Sequence, residues 1–107
     1  MTKLFVCKFD ELLKYKYKVK FVDEWKDEII AFVDINKEVK VFSSICPHFG
    51  GPILFNFKNN QLKCKWHAWK FCAKTGKCLS YSIKSHLKEY KHLIEGENLY
   101  VLSDENL

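Results

Sequence analysis

Two short spacings constrain this chain more than anything else in it. Cys46-Pro47-His48 sets a thiol close before an imidazole, and Cys64-Lys65-Trp66-His67 repeats the pairing one residue wider, with fifteen residues between His48 and Cys64. Each pair offers one sulfur and one nitrogen ligand on a tight loop. Two such loops facing each other supply two of each, a donor set that suits zinc or an iron–sulfur centre with mixed ligation. The fold must therefore bring these two loops together. In a Cys₂His₂ zinc finger both cysteines come first and both histidines follow on a helix. Here the order is Cys-His and then Cys-His, in a chain whose pattern is mostly that of strands.

Leu4 to Cys7 and Tyr17 to Val22 are rich in β-branched and aromatic residues. Glu28 to Val33, a polar turn over Asp34 to Glu38, and Val39 to Phe42 together read as a hairpin. Gln61 to Cys64, Trp69 to Cys72 and Leu99 to Leu102 are further short strands, with turns at Lys74 to Lys77 and Glu95 to Asn98. Only Phe9 to Leu13 reads as helical, for one or two turns. Several short strands at close spacing predict an antiparallel all-β domain.

With 107 residues, 48% of them hydrophobic, the chain has the size and the apolar content of a single domain over 1–107. It is too small to close an active site between two lobes, so its chemistry belongs on a surface or at a bound cofactor. Its longest apolar run, Ile29 to Val33, is five residues, against the roughly 20 needed to span a membrane. The N-terminal apolar stretch is interrupted by Lys8 and Asp10 too early for an export signal. Five cysteines, an odd number, do not suit a secreted disulfide framework. The expected location is cytoplasmic, with reduced thiols outside any metal site.

All 18 basic residues are lysine. Nine of them fall between Val39 and Lys88, where there is no Asp or Glu; the rest of the chain holds nine lysines against thirteen acids. Without arginine, bidentate readout of guanine lacks its main side chain, so no nucleic-acid partner is expected. A docking face for an acidic protein fits better.

The flanks of the two pairs sharpen the reading. Cys46-Pro47-His48-Phe49-Gly50-Gly51-Pro52-Ile53, Cys64-Lys65-Trp66-His67-Ala68-Trp69-Lys70-Phe71 and the hairpin Lys74-Thr75-Gly76-Lys77-Cys78-Leu79 resemble the Rieske family. The stretches Phe9 to Leu12 and Gly96 to Val101 resemble it too, so the likeness covers nearly the whole chain. The resemblance implies a Rieske-like antiparallel β-sandwich with a small cluster-binding subdomain of two loops, at about 44–82. It implies one [2Fe–2S] cluster per chain, with Cys46 and Cys64 on the inner iron and His48 and His67 on the outer one at the solvent-facing tip. Gly50 and Gly51 would let the backbone close over the cluster and aim N–H groups at its sulfides, and Pro52 would stiffen the loop exit.

Departures from the family are informative. High-potential members carry a disulfide between the loops at the places held here by Gly51 and Trp66. They also carry hydroxyl donors where Trp69 and Phe71 stand. Fewer donors leave the reduced state less stabilised, which implies a low potential. Lys65 and Ala68 replace the usual Pro and Gly. Cys72 stands where Asp is common.

The function implied is one-electron transfer. The chain resembles a ferredoxin, not an enzyme in itself, that carries electrons from a reductase to a terminal oxygenase or other oxidoreductase. It has no Gly-x-Gly-x-x-Gly fingerprint for a nicotinamide cofactor. One alternative is the small Rieske subunit of a larger complex of nitrite reductase or oxygenase type. A zinc-stabilised binding module is a remoter one. Outside the pairs, Cys7 reads as a core residue, Cys72 and Cys78 as free thiols, and His86 and His92 as surface residues. Trp25 is expected to pack, and Trp66 and Trp69 to shield the cluster from water.

Overall fold

The computed structural model describes residues 3–46, 50–66, 69–80 and 86–102. Strand β1 (Lys3–Lys8) leads into helix α1 (Phe9–Tyr15), β2 (Tyr17–Val22), a 3₁₀ turn (Asp23–Trp25), β3 (Asp27–Val33) and β4 (Val39–Ser43). Strands β5 (Ile53–Asn56), β6 (Gln61–Cys64) and β7 (Lys70–Cys72) follow, then β8 (His92–Glu95) and β9 (Asn98–Leu102). These strands form three antiparallel three-stranded sheets, ordered β1-β9-β8, β2-β3-β4 and β5-β6-β7. The all-β expectation holds. Among the described residues, no helix is long and apolar enough to cross a membrane.

The middle sheet is buried on both faces along β3 and most of β4. Ile29, Ala31, Val39 and Val41 pack with Val6, Cys7, Leu99 and Val101 of the first sheet and with Leu12 of α1. Ile30, Phe32 and Phe42 point the other way, into a second core with Ile53, Phe55, Leu62, Cys64 and Phe71 of the third sheet. This explains why β3 carries a continuous apolar run, the signature of a strand with no solvent face. The Phe32 ring stacks on Phe55 with centroids 4.2 Å apart and lies 6.1 Å from that of Phe42.

Helix α1 extends two residues past its expected end. Its first turn is capped by the Glu11 carboxylate, which accepts the Lys8 N–H at 3.0 Å. It stops at Lys16, which takes the left-handed conformation and donates its N–H to the Leu12 carbonyl. Two strands lie outside those expected from the sequence. β5 is the exit of the first Cys/His loop, and β8 starts at His92 with a weak pattern and is held by pairing to β9. Trp25 packs as expected, stacked on Tyr90 at 5.1 Å.

Phe32 ties the middle sheet to the sheet that carries Cys64. Truncating Phe32→Ala should cost about 3–5 kcal/mol, while Phe32→Leu should cost less than about 1.5. Urea unfolding of the loaded protein checks this; equal losses for the two variants would show that the stack does not hold the sheets together.

Candidate metal centre

Cys46 and Cys64 are both buried, at 1% and 0% exposure, in the core shared by the second and third sheets. The chain reaches Cys46 from the end of β4 under tight control. The Ser44 hydroxyl donates to the Glu28 carboxylate at 2.9 Å and the Ser44 N–H to the Glu28 carbonyl at 2.6 Å. The Ser43 hydroxyl donates to Asp27, whose other oxygen accepts the Tyr90 hydroxyl. Sequence patterns do not reveal this support, because the two serines meet the two acids only through strand pairing sixteen residues apart.

The first loop closes on itself. The Cys46 N–H donates to the Gly51 carbonyl at 2.8 Å, and the Gly50 N–H to the Cys46 carbonyl at 2.9 Å. Gly50 has φ +73°, a conformation that costs glycine little. Its N–H is engaged by the Cys46 carbonyl. The second loop is stitched to the first where Lys65 donates to the Pro52 carbonyl at 2.9 Å and Ile53 pairs with Cys64. The Cys64 N–H donates to the Trp69 carbonyl at 2.8 Å, closing the second loop at its base.

The two loops are also in van der Waals contact. A methyl group on Gly51 would lie 2.8 Å from the Cys64 Sγ and 3.0 Å from Trp66 ring atoms. Positions 51 and 66 therefore face each other, and in place of a bridge between them an indole lies on bare backbone. Trp66 is 65% exposed, while Trp69 packs against the core. His48 and His67, with Pro47, Phe49 and Ala68, lie outside the described residues. Among the described residues, no three or more His, Cys, Asp or Glu side chains gather as a metal site elsewhere.

The remaining cysteines are thiols. Cys7 is a core residue, and burial, helped by Glu11, pushes its thiol above the ordinary value. Cys72 and Cys78 are free despite lying close together across β7 and its neighbouring bridge. Burial acts to raise the Cys72 thiol, but hydrogen bonds from the Thr75 hydroxyl and from the Thr75 and Lys74 backbone, with the Lys74 charge, leave it below the ordinary value. His86 is exposed as expected. His92 is half-buried, and burial lowers its pKa against the opposing pull of Glu89.

Three antiparallel sheets, the last ending in two clasped loops with a buried cysteine on each, define a β-fold built to hold a metal cluster between loops. The chain belongs to the Rieske [2Fe–2S] domain family, whose model matches residues 2–91. It is 28% identical, over 98% of both chains, to the 3-phenylpropionate/cinnamic acid dioxygenase ferredoxin subunit of Photorhabdus laumondii. Its fold is similar to the plasma membrane Rieske protein PetC3 of Synechocystis, with TM-score 0.81 at 18% identity over 94% of this chain and 99% of that one. It is also similar to the ferredoxin of carbazole 1,9a-dioxygenase from Nocardioides aromaticivorans, with TM-score 0.76 at 21% identity over 94% and 97%.

A [2Fe–2S] cluster fits this site. The buried donors are soft sulfurs, and Gly51 leaves beside the Cys64 Sγ the space that a side chain would fill. Adding one methyl as Gly51→Ala should displace Cys64 and lower iron and sulfide content per chain, whereas Gly96→Ala, with open space at its turn, should leave loading unchanged. Iron and labile-sulfide assays check the pair; full loading of the Gly51 variant would show that the close approach is not needed. Among the three thiols, Cys72 should be alkylated first and at lower pH than an ordinary cysteine, with Cys7 last. Timed iodoacetamide labelling read by mass spectrometry would refute this if Cys7 or Cys78 reacted as fast.

Proposed function

We propose that this protein is a one-electron carrier of the cytoplasm. It takes electrons from a reductase and delivers them to an oxygenase or another oxidoreductase, and it is not itself a catalyst. The observation that carries this reading is the pair of buried cysteines on loops clasped through Gly51 and Pro52. Cys46 and Cys64 would hold one iron and His48 and His67 the other, within one domain over 1–107 whose cluster-binding part spans about 44–82. The 28% identical relative, a dioxygenase ferredoxin subunit matched end to end, supports the same role.

A bound [2Fe–2S] cluster supplies the capacity to accept and release one electron. The protein's residues do the rest. Ile53, Leu62 and Phe71, all fully buried, exclude water from the core around the two cysteines. The hydrogen bonds at Cys46 and Cys64 hold the two loops in fixed relation, so little must rearrange when charge changes. Exposed lysines in a segment without acids steer an anionic partner surface and reject a cationic one. Phe71, buried beside the cysteines, has no hydroxyl to stabilise the reduced state, which supports a midpoint in the lower part of the roughly −150 to +300 mV Rieske range.

The purified protein should be red-brown with a Rieske-type EPR signal on reduction, and His48→Ala or His67→Ala should abolish that signal while His86→Ala and His92→Ala leave it. A colourless zinc-loaded protein, or a normal spectrum in the His67 variant, would overturn the assignment.

A further inference from the structure

The outward face of the third sheet combines lysines with exposed leucines. Strand alternation buries Ile53, Phe55, Leu62, Cys64 and Phe71, and it turns Leu54, Asn56, Lys63 and Lys70 outward. The register places Leu54 opposite Lys63, and Lys63 opposite Lys70, in one row across the three strands. Leu79 continues the row, because its N–H donates to the Lys70 carbonyl at 2.7 Å. Leu54 is 37% exposed and Leu79 51%.

Two features of this row point outward. Lys63 and Lys70 are like charges directly opposite each other, a pairing that destabilises a sheet. The segment from Val39 to Lys88 contains no acid to relieve it. Exposed leucines at both ends of a basic centre give the row an apolar contact area around a charge. Lys63 on β6 and Lys65 just past its end flank Cys64, whose side chain is buried, so a partner seated on this face lies one sheet thickness from that cysteine.

We propose that the Lys63–Lys70 pair is a carboxylate-binding element, at the centre of a face that docks an acidic redox protein. This rests on the electron-carrier reading and extends it from the loop tip to the side of the sheet. A partner carboxylate between the two ammonium groups would relieve their repulsion on binding, so that part of the affinity comes from a defect in the free protein.

This makes an unusual demand: removing the repulsion should stabilise the free protein and impair docking together. In the loaded protein, Lys63→Glu should raise the thermal midpoint, since it turns a repulsive cross-strand pair into an attractive one. The same variant should be oxidised about tenfold more slowly by an acidic haem protein, ferricytochrome b5, at low salt, with the gap closing as salt rises. Oxidation by basic ferricytochrome c should not slow. Lys18→Glu, an equal charge change on β2, is the control, and Lys63→Gln should give an intermediate rate should the Glu variant load poorly. A Lys63→Glu rate no lower than that of Lys18→Glu, or an unraised midpoint, overturns the proposal. If the native protein takes up no electron at all, the carrier reading fails instead.

Discussion

Everything in this molecule depends on a strand that has no solvent face, β3 at the centre of the middle sheet. β2-β3-β4 gives Ile29 and Ala31 to one core and Ile30 and Phe32 to the other, so each flanking sheet is fixed through the same strand. Each fully buried large apolar side chain contributes about 1.5–3 kcal/mol of transfer free energy, and β3 buries four consecutive residues, three of them large. The stack of Phe32 on Phe55 carries that rigidity across to the third sheet. The loops at the end of that sheet inherit a fixed base without having a core of their own.

From that base the site is built by backbone more than by side chains. The Cys46 loop closes through its own carbonyl and that of Gly51, and the Cys64 loop leans on the Pro52 carbonyl through Lys65. The glycine at 51 serves as an absence: its missing methyl is what permits Trp66 and the Cys64 sulfur to come so near. Among the described residues, the two loops are held together by this contact and by backbone hydrogen bonds. Burial of both sulfurs and of Phe71 keeps the site dry, and charge is left to the outer face of the same strands, where lysines stand one residue away from a buried cysteine.

Much of this architecture is legible in the amino-acid sequence. The Cys/His spacings mark the loops, the β-branched and aromatic content of Tyr17 to Val22 bounds β2 where the strand lies, and β6 also has the bounds expected for it. The Asp34 turn is recognisable from its polar residues; there the Asp34 carboxylate accepts N–H groups of Asn36 and Glu38 at 2.9 Å each. The misses have physical causes. β5 reads as loop because it follows directly on the ligand motif, and only its pairing with β6 makes it a strand. β8 has three exposed residues in four and no alternation to reveal it. The turn after β6 lays the Trp66 indole on Gly51, a contact between the two loops that no local pattern shows.

Neighbours along the chain are enough to specify the two Cys/His pairs, the turn chemistry, the apolar run of β3 and the separation of lysines from acids. Whatever depends on register between distant strands is settled by tertiary packing instead. Packing places Ser43 and Ser44 on Asp27 and Glu28, sets position 51 against position 66, and puts Lys63 opposite Lys70. The reason lies in the two-residue period of a strand, where a slip of one residue would exchange Cys64 for a lysine in the core. That choice is made by the collective burial of Ile53, Phe55, Leu62 and Phe71 against the middle sheet, which no local stretch of sequence contains.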